Sequence, residues 1–239
     1  MISDTPKSDM KLDLSEYMEI SWDTMCCLYL LWKIGIAHGD VSFVNTMYNE
    51  SEQGIINAFG NIDLATEMKV TCRSPDKKGW ERMGTPPFMA LDLLRFYDGE
   101  IKRWFRHDLE SGAWCLAWQM LYEESEHRKW YTGTFEDVYK HKHTLLDDFE
   151  RTMVKDEWET YYEFIDNWLL EWARIHREMN LRTKVLDSPT EKFEEREKYN
   201  EEHSDEEFIR TAVDPARTCG LDNVDALTNT FWIDSDVRS

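Results

Sequence analysis

From Tyr17 onward the apolar positions Met18, Trp22, Met25, Tyr29, Trp32 and Ile36 are separated by alternating steps of four and three. That spacing draws one stripe along an amphipathic helix of about five turns, ending near Gly35. The next segment, IAHGDVSFVNTMY, is apolar but broken by Gly39 and Asp40. A turn over Asn49 to Gly54 and a strand at IINAF follow. Residues 66–87 contain Pro75, Gly79, Gly84, Pro86 and Pro87 and read as a long connection, which in a compact region is either functional or disordered. Helical patterning resumes in FMALDLLRFY and again in HDLESGAWCLAWQMLYEE. The second stretch is apolar nearly all round between Leu109 and Leu121, which predicts a central buried helix. Tyr161, Ile165, Trp168, Trp172 and Ile175 repeat at four, three, four, three and predict another core-facing helix.

These elements divide the chain into a loose, polar N-terminus over residues 1–14, a folded unit over 15–184, and a final segment over 185–239. The run EKFEEREKYNEEHSDEEF is acid-rich with little to bury, so 185–239 is expected to be an acidic, mobile tail in which Phe231, Trp232 and Ile233 dock back. Removing residues 190–239 is then expected to leave the folded core soluble.

Charge narrows the partners. The 239 residues carry 48 Asp and Glu against 28 Lys and Arg, a net charge of −20. Nucleic acid and anionic membrane both require clustered Lys and Arg, so neither is expected as a partner. With 41% hydrophobic and 13% aromatic residues the chain has enough apolar surface for one sizeable core. The most apolar stretch, Met25 to Ala37, is too short to span a bilayer and carries Lys33. The N-terminal MISDTPKSDMK lacks a signal-peptide hydrophobic run, and the expected location is intracellular, cytoplasmic or nuclear. Five cysteines without a CxxC pair suggest free thiols in a reducing compartment. His141, Lys142 and His143 with Asp147 and Asp148 fix no complete ligand set, and a solvated helix face is expected there. Core packing accounts for the aromatic positions 161, 165, 168 and 172 better than a stacking platform does. The sequon at Asn49 to Ser51 has meaning only in a secreted protein.

The candidate chemistry lies in His38-Gly39-Asp40-Val41-Ser42-Phe43-Val44-Asn45, which places a carboxylate and an amide five residues apart between a helix and a strand. Phosphoryl transfer needs a carboxylate beside the acceptor hydroxyl and an oxygen ligand for magnesium a short loop further on. The HxDxxxxN spacing is also part of the kinase catalytic-loop signature. Three more marks follow in order: Asn61-Ile62-Asp63-Leu64-Ala65 after the strand, Gly84-Thr85-Pro86-Pro87-Phe88-Met89-Ala90-Leu91-Asp92, and His107-Asp108-Leu109-Glu110-Ser111 at the start of the buried helix.

Together HGDVSFVNTM, GNIDLA, GTPPFMALDLL and HDLES resemble the fungal-specific protein kinase family, over roughly residues 15 to 175. The resemblance implies a mainly α, protein-kinase-like C-lobe with short strands around the catalytic loop and no N-lobe, and it implies ATP and Mg2+ as cofactors and a protein as substrate or binding partner. It makes Asp40 the catalytic base, Asn45 a magnesium ligand, His38 a spine residue under the loop and Asp108 the anchor of the loop backbone. Asp92 then stands for the glutamate that closes the activation segment and pairs with an arginine further on, and Gly84, Thr85 and Phe88 belong to the substrate loop. In the register NIDLA against DFGLA, Asn61 replaces the metal-binding aspartate, unless the chain slips and Asp63 serves. Gly39 stands where most protein kinases carry the loop arginine.

No G-x-G-x-x-G loop and no V-A-I-K-like strand occur in the sequence, and only 37 residues precede His38. A nucleotide is normally clamped between two lobes, so a truncated form with little or no activity by itself is expected. Two other readings stay open: a pseudokinase-like interaction module that binds partners through its exposed surface and acidic tail, and a small-molecule kinase of the aminoglycoside or choline type. GTPPFMALDLL and HDLES weigh against the last, because a peptide-docking loop and its anchoring helix belong to protein kinases.

Overall fold

Helix α1 spans Leu14–Lys33 and buries Met18, Ile20, Trp22, Met25, Leu28 and Tyr29, so the stripe drawn by the sequence faces the core. It belongs to a computed structural model that describes residues 14–42, 45–51, 54–59, 66–67, 84–95, 103–121, 129–150 and 153–221. The described architecture is mainly helical, with short strands on either side of residues 38–45. Strand β1 (Ile36–Ala37) pairs antiparallel with β4 (Thr66–Glu67), and β2 (Thr46–Ser51) pairs antiparallel with β3 (Gly54–Phe59). The β2–β3 register runs from Thr46 opposite Phe59 to Ser51 opposite Gly54, so Asn49 to Ser51 lie in a strand and not in the expected turn.

After the short helix α2 (Leu91–Arg95) comes α3 (Phe105–Met120), the axis of the fold. Every residue from Phe105 to Ala117 is buried, including Arg106, His107, Asp108 and Glu110. A helix buried on all sides has no solvent face on which to place its charges, so each must find a partner inside. Helices α4 (Phe135–Asp147) and α5 (Tyr162–Lys184) complete the central layer. Helix α5 buries Phe164, Ile165, Trp168, Trp172 and Ile175 on the face its spacing predicts, and Trp22 of α1 lies 5.3 Å from Phe164, centroid to centroid. Among the described residues no helix is long and apolar enough to cross a membrane.

Two further stretches depart from what the sequence predicts. Lys142, placed on a solvated face by the sequence reading, is fully buried, because α4 turns it inward beside Val138, Leu145 and Leu146. The acid-rich run is no mobile tail over residues 189–218, since it forms α6 (Pro189–Glu202) and α7 (Asp205–Thr218). Helix α6 turns Arg196, Tyr199 and Asn200 into the interior. Helix α7 buries Phe208, Ile209, Ala212, Val213 and Ala216, an i, i+1, i+4, i+5, i+8 stripe that the count of acids conceals. Its start is fixed by Ser204, whose hydroxyl accepts from the Glu207 N–H at 3.2 Å while the Glu207 carboxylate accepts from the Ser204 N–H at 2.6 Å. The acids of its first turn also hold α1: Glu206 accepts from the Tyr29 hydroxyl at 2.9 Å and Asp205 from the Trp32 indole at 2.8 Å. Residues 222–239, with Phe231 to Ile233, lie outside the described residues, as do residues 1–13.

Burial of Phe208, Ile209 and Val213 contributes about 1.5–3 kcal/mol each. Their sum is comparable with the whole stability of a typical domain, about 5–15 kcal/mol. Deleting residues 190–239 is therefore expected to abolish the cooperative thermal transition and send the truncated chain into aggregates. A soluble truncated chain with an unchanged melting temperature would contradict this packing.

Candidate functional site

The chain enters the candidate site from β1 and leaves it along β2, so residues 38–42 and Asn45 stand between two strand pairings. His38 is buried, and its backbone N–H donates to Asp108 Oδ2 at 3.0 Å. The other oxygen of Asp108 accepts from Arg103 Nη2 at 2.9 Å, so one carboxylate on α3 suspends the loop while a cation balances it. The ring of His38 accepts through Nδ1 from the Asp40 N–H at 3.3 Å, which sets the direction of the chain at Asp40. Asn45 is buried, and its amide nitrogen donates at 2.8 Å both to the Asp40 carbonyl and to Asp40 Oδ2. With its nitrogen so committed, the amide points its oxygen away from Asp40, which suits it to a hard cation. Gly39 has φ +86°, a conformation that glycine adopts without strain and a side-chain residue such as arginine does not.

The second loop closes on the first. Thr85 donates from its hydroxyl to Asp40 Oδ1 at 2.8 Å, so both oxygens of the half-buried Asp40 carboxylate are engaged. The Thr85 carbonyl in turn accepts from the N–H groups of Phe88 at 2.8 Å and Met89 at 3.1 Å, which curls residues 85–89 into a compact turn. Gly84 is at φ +135°, and a Cβ there would meet Met89 Cγ at 2.9 Å and the Gly39 carbonyl at 3.3 Å. The two loops therefore touch backbone to backbone at a place where only glycine fits. Phe88 is buried and packs edge-on against Trp118 at 5.5 Å.

Behind the second loop lies a buried layer of charge. Asp92 accepts from Arg106 Nη2 through Oδ2 and from Arg196 Nη1 through Oδ1 at 2.9 Å, and His176 Nδ1 stands 3.7 Å from Oδ1. Arg106 also donates from Nε to Asn200 Oδ1. Burial pushes the Asp92 carboxyl up, but Arg196, Arg106, His176 and His107 outweigh it and hold it well below the usual carboxylate range. Glu110 accepts from the Leu91 N–H at 2.9 Å and the Trp114 indole at 3.1 Å, and its Oε2 lies 3.1 Å from His176 Nε2. Burial raises the Glu110 carboxyl, and His176, the Leu91 N–H and Arg106 bring it below its ordinary value. Burial holds the His107 imidazole well below its ordinary value, and Arg106 lowers it further. As the neutral ring it accepts the Trp104 N–H through Nδ1 at 3.1 Å.

The structure thus brings Asp40, Asn45, His38, Thr85 and Gly84 together, with Phe88 beneath the second loop and Asp108 and Asp92 as two anchors behind it. Asn61 and Asp63 lie outside the described residues. Asn45 offers magnesium one amide oxygen, and among the described residues no group of three or more His, Cys, Asp or Glu side chains is placed to hold a metal ion. Sequence reasoning assigns no site role to Arg106, Glu110, His176 or Arg196, and reads Lys142 as part of a solvated face. The charged opening of an otherwise apolar helix is the signal that could have exposed Arg106 and Glu110. Nothing in EKFEEREKYN distinguishes Arg196 from a solvated residue.

Residues 23–120 match the family model for fungal protein kinase, and this part of the chain is kinase-like. The matched segment contains Asp40, Asn45, Thr85, Asp92 and Asp108, while Lys142, His176 and Arg196 lie beyond it. No curated protein and no solved structure matches the chain.

Asp92→Asn leaves Arg106 and Arg196 buried without a carboxylate and is expected to cost about 3–5 kcal/mol, read as a shift of the urea midpoint. A cost under about 1 kcal/mol would show that the guanidinium groups are satisfied elsewhere. Acid should act the same way on the native chain. His107, with an ordinary value of 6.5, and Glu110 and Asp92, with ordinary values of 4.5 and 3.8, are all depressed in the folded state. The unfolded chain then binds more protons below those ordinary values, so stability is full above them and is lost as the pH falls through them. The melting temperature is expected to start falling below about pH 6.5 and to fall faster below about pH 4.5. A melting temperature that rises on acidification through this range would contradict the assignment.

Proposed function

We propose that the kinase-like segment forms the acceptor side of a phosphoryl-transfer site, in which Asp40 receives the proton of a protein serine or threonine hydroxyl. The observation that carries this reading is the Thr85 contact: an aliphatic hydroxyl donates to Asp40 Oδ1 at 2.8 Å, within the reach required of a general base. Asn45 fixes the carboxylate from the other side through Oδ2, and its amide oxygen is the group of this loop that would face a magnesium ion. When bound, magnesium neutralises charge on the transferring phosphate; the chain's own part is to orient the acceptor and take its proton. The substrate loop GTPPFMALDLL favours a peptide acceptor over an aminoglycoside or choline.

By itself this chain is proposed to transfer phosphate poorly, because its sequence holds neither a glycine-rich loop nor a lysine strand, and Asn61 replaces a carboxylate in the unslipped register. That same asparagine favours the second reading, a pseudokinase-like interaction module.

Two measurements test these statements. Mg-ATP is expected to leave the melting temperature of this chain unchanged; a clear upward shift, lost in Asp63→Ala, would contradict the weak-nucleotide reading and make Asp63 the metal aspartate. In the native protein from its source cells, Asp40→Asn is expected to lower transfer from ATP to serine and threonine peptides by about a hundredfold or more. An unchanged rate, or phosphorylation of aminoglycosides or choline with no peptide labelled, would overturn the assignment.

A further inference from the structure

Lys142 is the one lysine among the described residues that is fully buried, and no part of the site described so far uses it. Its ammonium lies 4.2 Å from the centroid of Trp114 and 5.6 Å from that of Trp130, two indoles set edge to face at 5.5 Å. A methionine would fill such a slot without desolvating a charge, so lysine is a poor choice as mere core filler. Among the described residues its hydrogen-bond acceptor is the carbonyl of Met89.

Met89 is a junction. Its N–H donates to the Thr85 carbonyl at 3.1 Å, and the Thr85 hydroxyl donates to Asp40 Oδ1 at 2.8 Å. Two residues on, Glu110 takes the Leu91 N–H at 2.9 Å. The stretch of chain from 89 to 91 is therefore gripped by Lys142 Nζ from α4 on its carbonyl and by the Glu110 carboxylate from α3 on its N–H, both buried. A bond to a buried backbone group is costly to break where no water can replace it, and two such bonds on one short segment leave it a single position.

We propose that Lys142 is a positioning residue: through Met89 and Thr85 it sets the height of the substrate loop on Asp40, the contiguous path being Lys142 Nζ to Met89, Met89 to Thr85, and Thr85 to Asp40. The proposal rests on reading Asp40 as the acceptor-side carboxylate, but its test does not pass through phosphate transfer. Lys142 touches no reacting atom. Its effect is on where Thr85 and Asp40 stand.

The test is amide hydrogen exchange of Lys142→Met against the unsubstituted chain, with the amides of residues 205–218 as an internal measure of global stability. Residues 88–91 are expected to exchange about tenfold faster or more, with the 205–218 amides changed far less. In Lys142→Arg, which keeps a charged donor between Trp114 and Trp130, protection of 88–91 is expected to stay within about twofold of native. Unchanged exchange at 88–91 in Lys142→Met, or an equal rise at 88–91 and 205–218, would overturn the proposal. Should Lys142→Met fail to fold, the unsubstituted chain decides, with lysine labelled at 15Nζ and methionine at the 13C carbonyl. A Lys142 Nζ to Met89 carbonyl-carbon distance of about 3.5 Å is expected, and one beyond about 5 Å would overturn the proposal. Both readouts report the loop whether or not phosphate moves. A failure of the Asp40→Asn test is thus separate from a failure here.

Discussion

A carboxylate that has lost all contact with water must be matched by charge, and in this protein that requirement falls on Asp92. Its two oxygens are taken by Arg106 of α3 and Arg196 of α6. The second partner is 104 residues away along the chain, so the match cannot form until α6 has docked. Removing either partner leaves an uncompensated ion in the interior, which is far more costly than never having buried the group. The C-terminal helices are in this sense part of the core, tied to α1 as well through Tyr29 and Trp32. An acidic composition did not keep them in solvent, because α7 turns its apolar stripe to the core and uses the acids of its first turn to hold α1.

Helix α3 turns that constraint into geometry. Within one and a half turns it carries Arg106 for Asp92, Asp108 for the loop at His38, and Glu110 for the junction at Leu91. Three buried charges on one rigid rod fix the separation between the loop bearing Asp40 and the loop bearing Thr85. Gly84 then lets the two loops approach where a Cβ would press on Met89 and on the Gly39 carbonyl, and Gly39 takes the positive φ of its turn without strain. The carboxylate of Asp40 is held by both loops at once, through Asn45 on one side and Thr85 on the other. A position so defined suits the proton transfer proposed for it, where a misplacement of about 1 Å changes the rate.

Helical periodicity was enough to read α1, α3 and α5 from the sequence, because each presents a regular apolar face to a common core. The motif order was enough to place Asp40, Asn45, Thr85 and Asp108 near one another. The fate of 189–218 was not legible, since a stripe of Phe208, Ile209, Ala212 and Val213 is diluted by flanking acids. The capping pattern Ser204 to Glu207 was nonetheless present as a helix-start signal. The burial of Lys142 was not legible either. Its slot exists only when α4 packs Lys142 between Trp114 of α3 and the Met89 carbonyl of the second loop, and residue type argues for solvent. Arg196 is the extreme case: a single arginine in a charged run, distinguished only by a partner on another helix.

A double-mutant cycle on Asp92→Asn and Arg196→Met measures the dependence of the Thr85 loop on α6 without reference to any activity. If the pair is a buried, mutually required contact, the double variant loses less stability than the two single variants together, with a coupling on the order of 1–3 kcal/mol. Losses that simply add would mean that Asp92 and Arg196 do not meet, and that α6 is not what holds the loop in place.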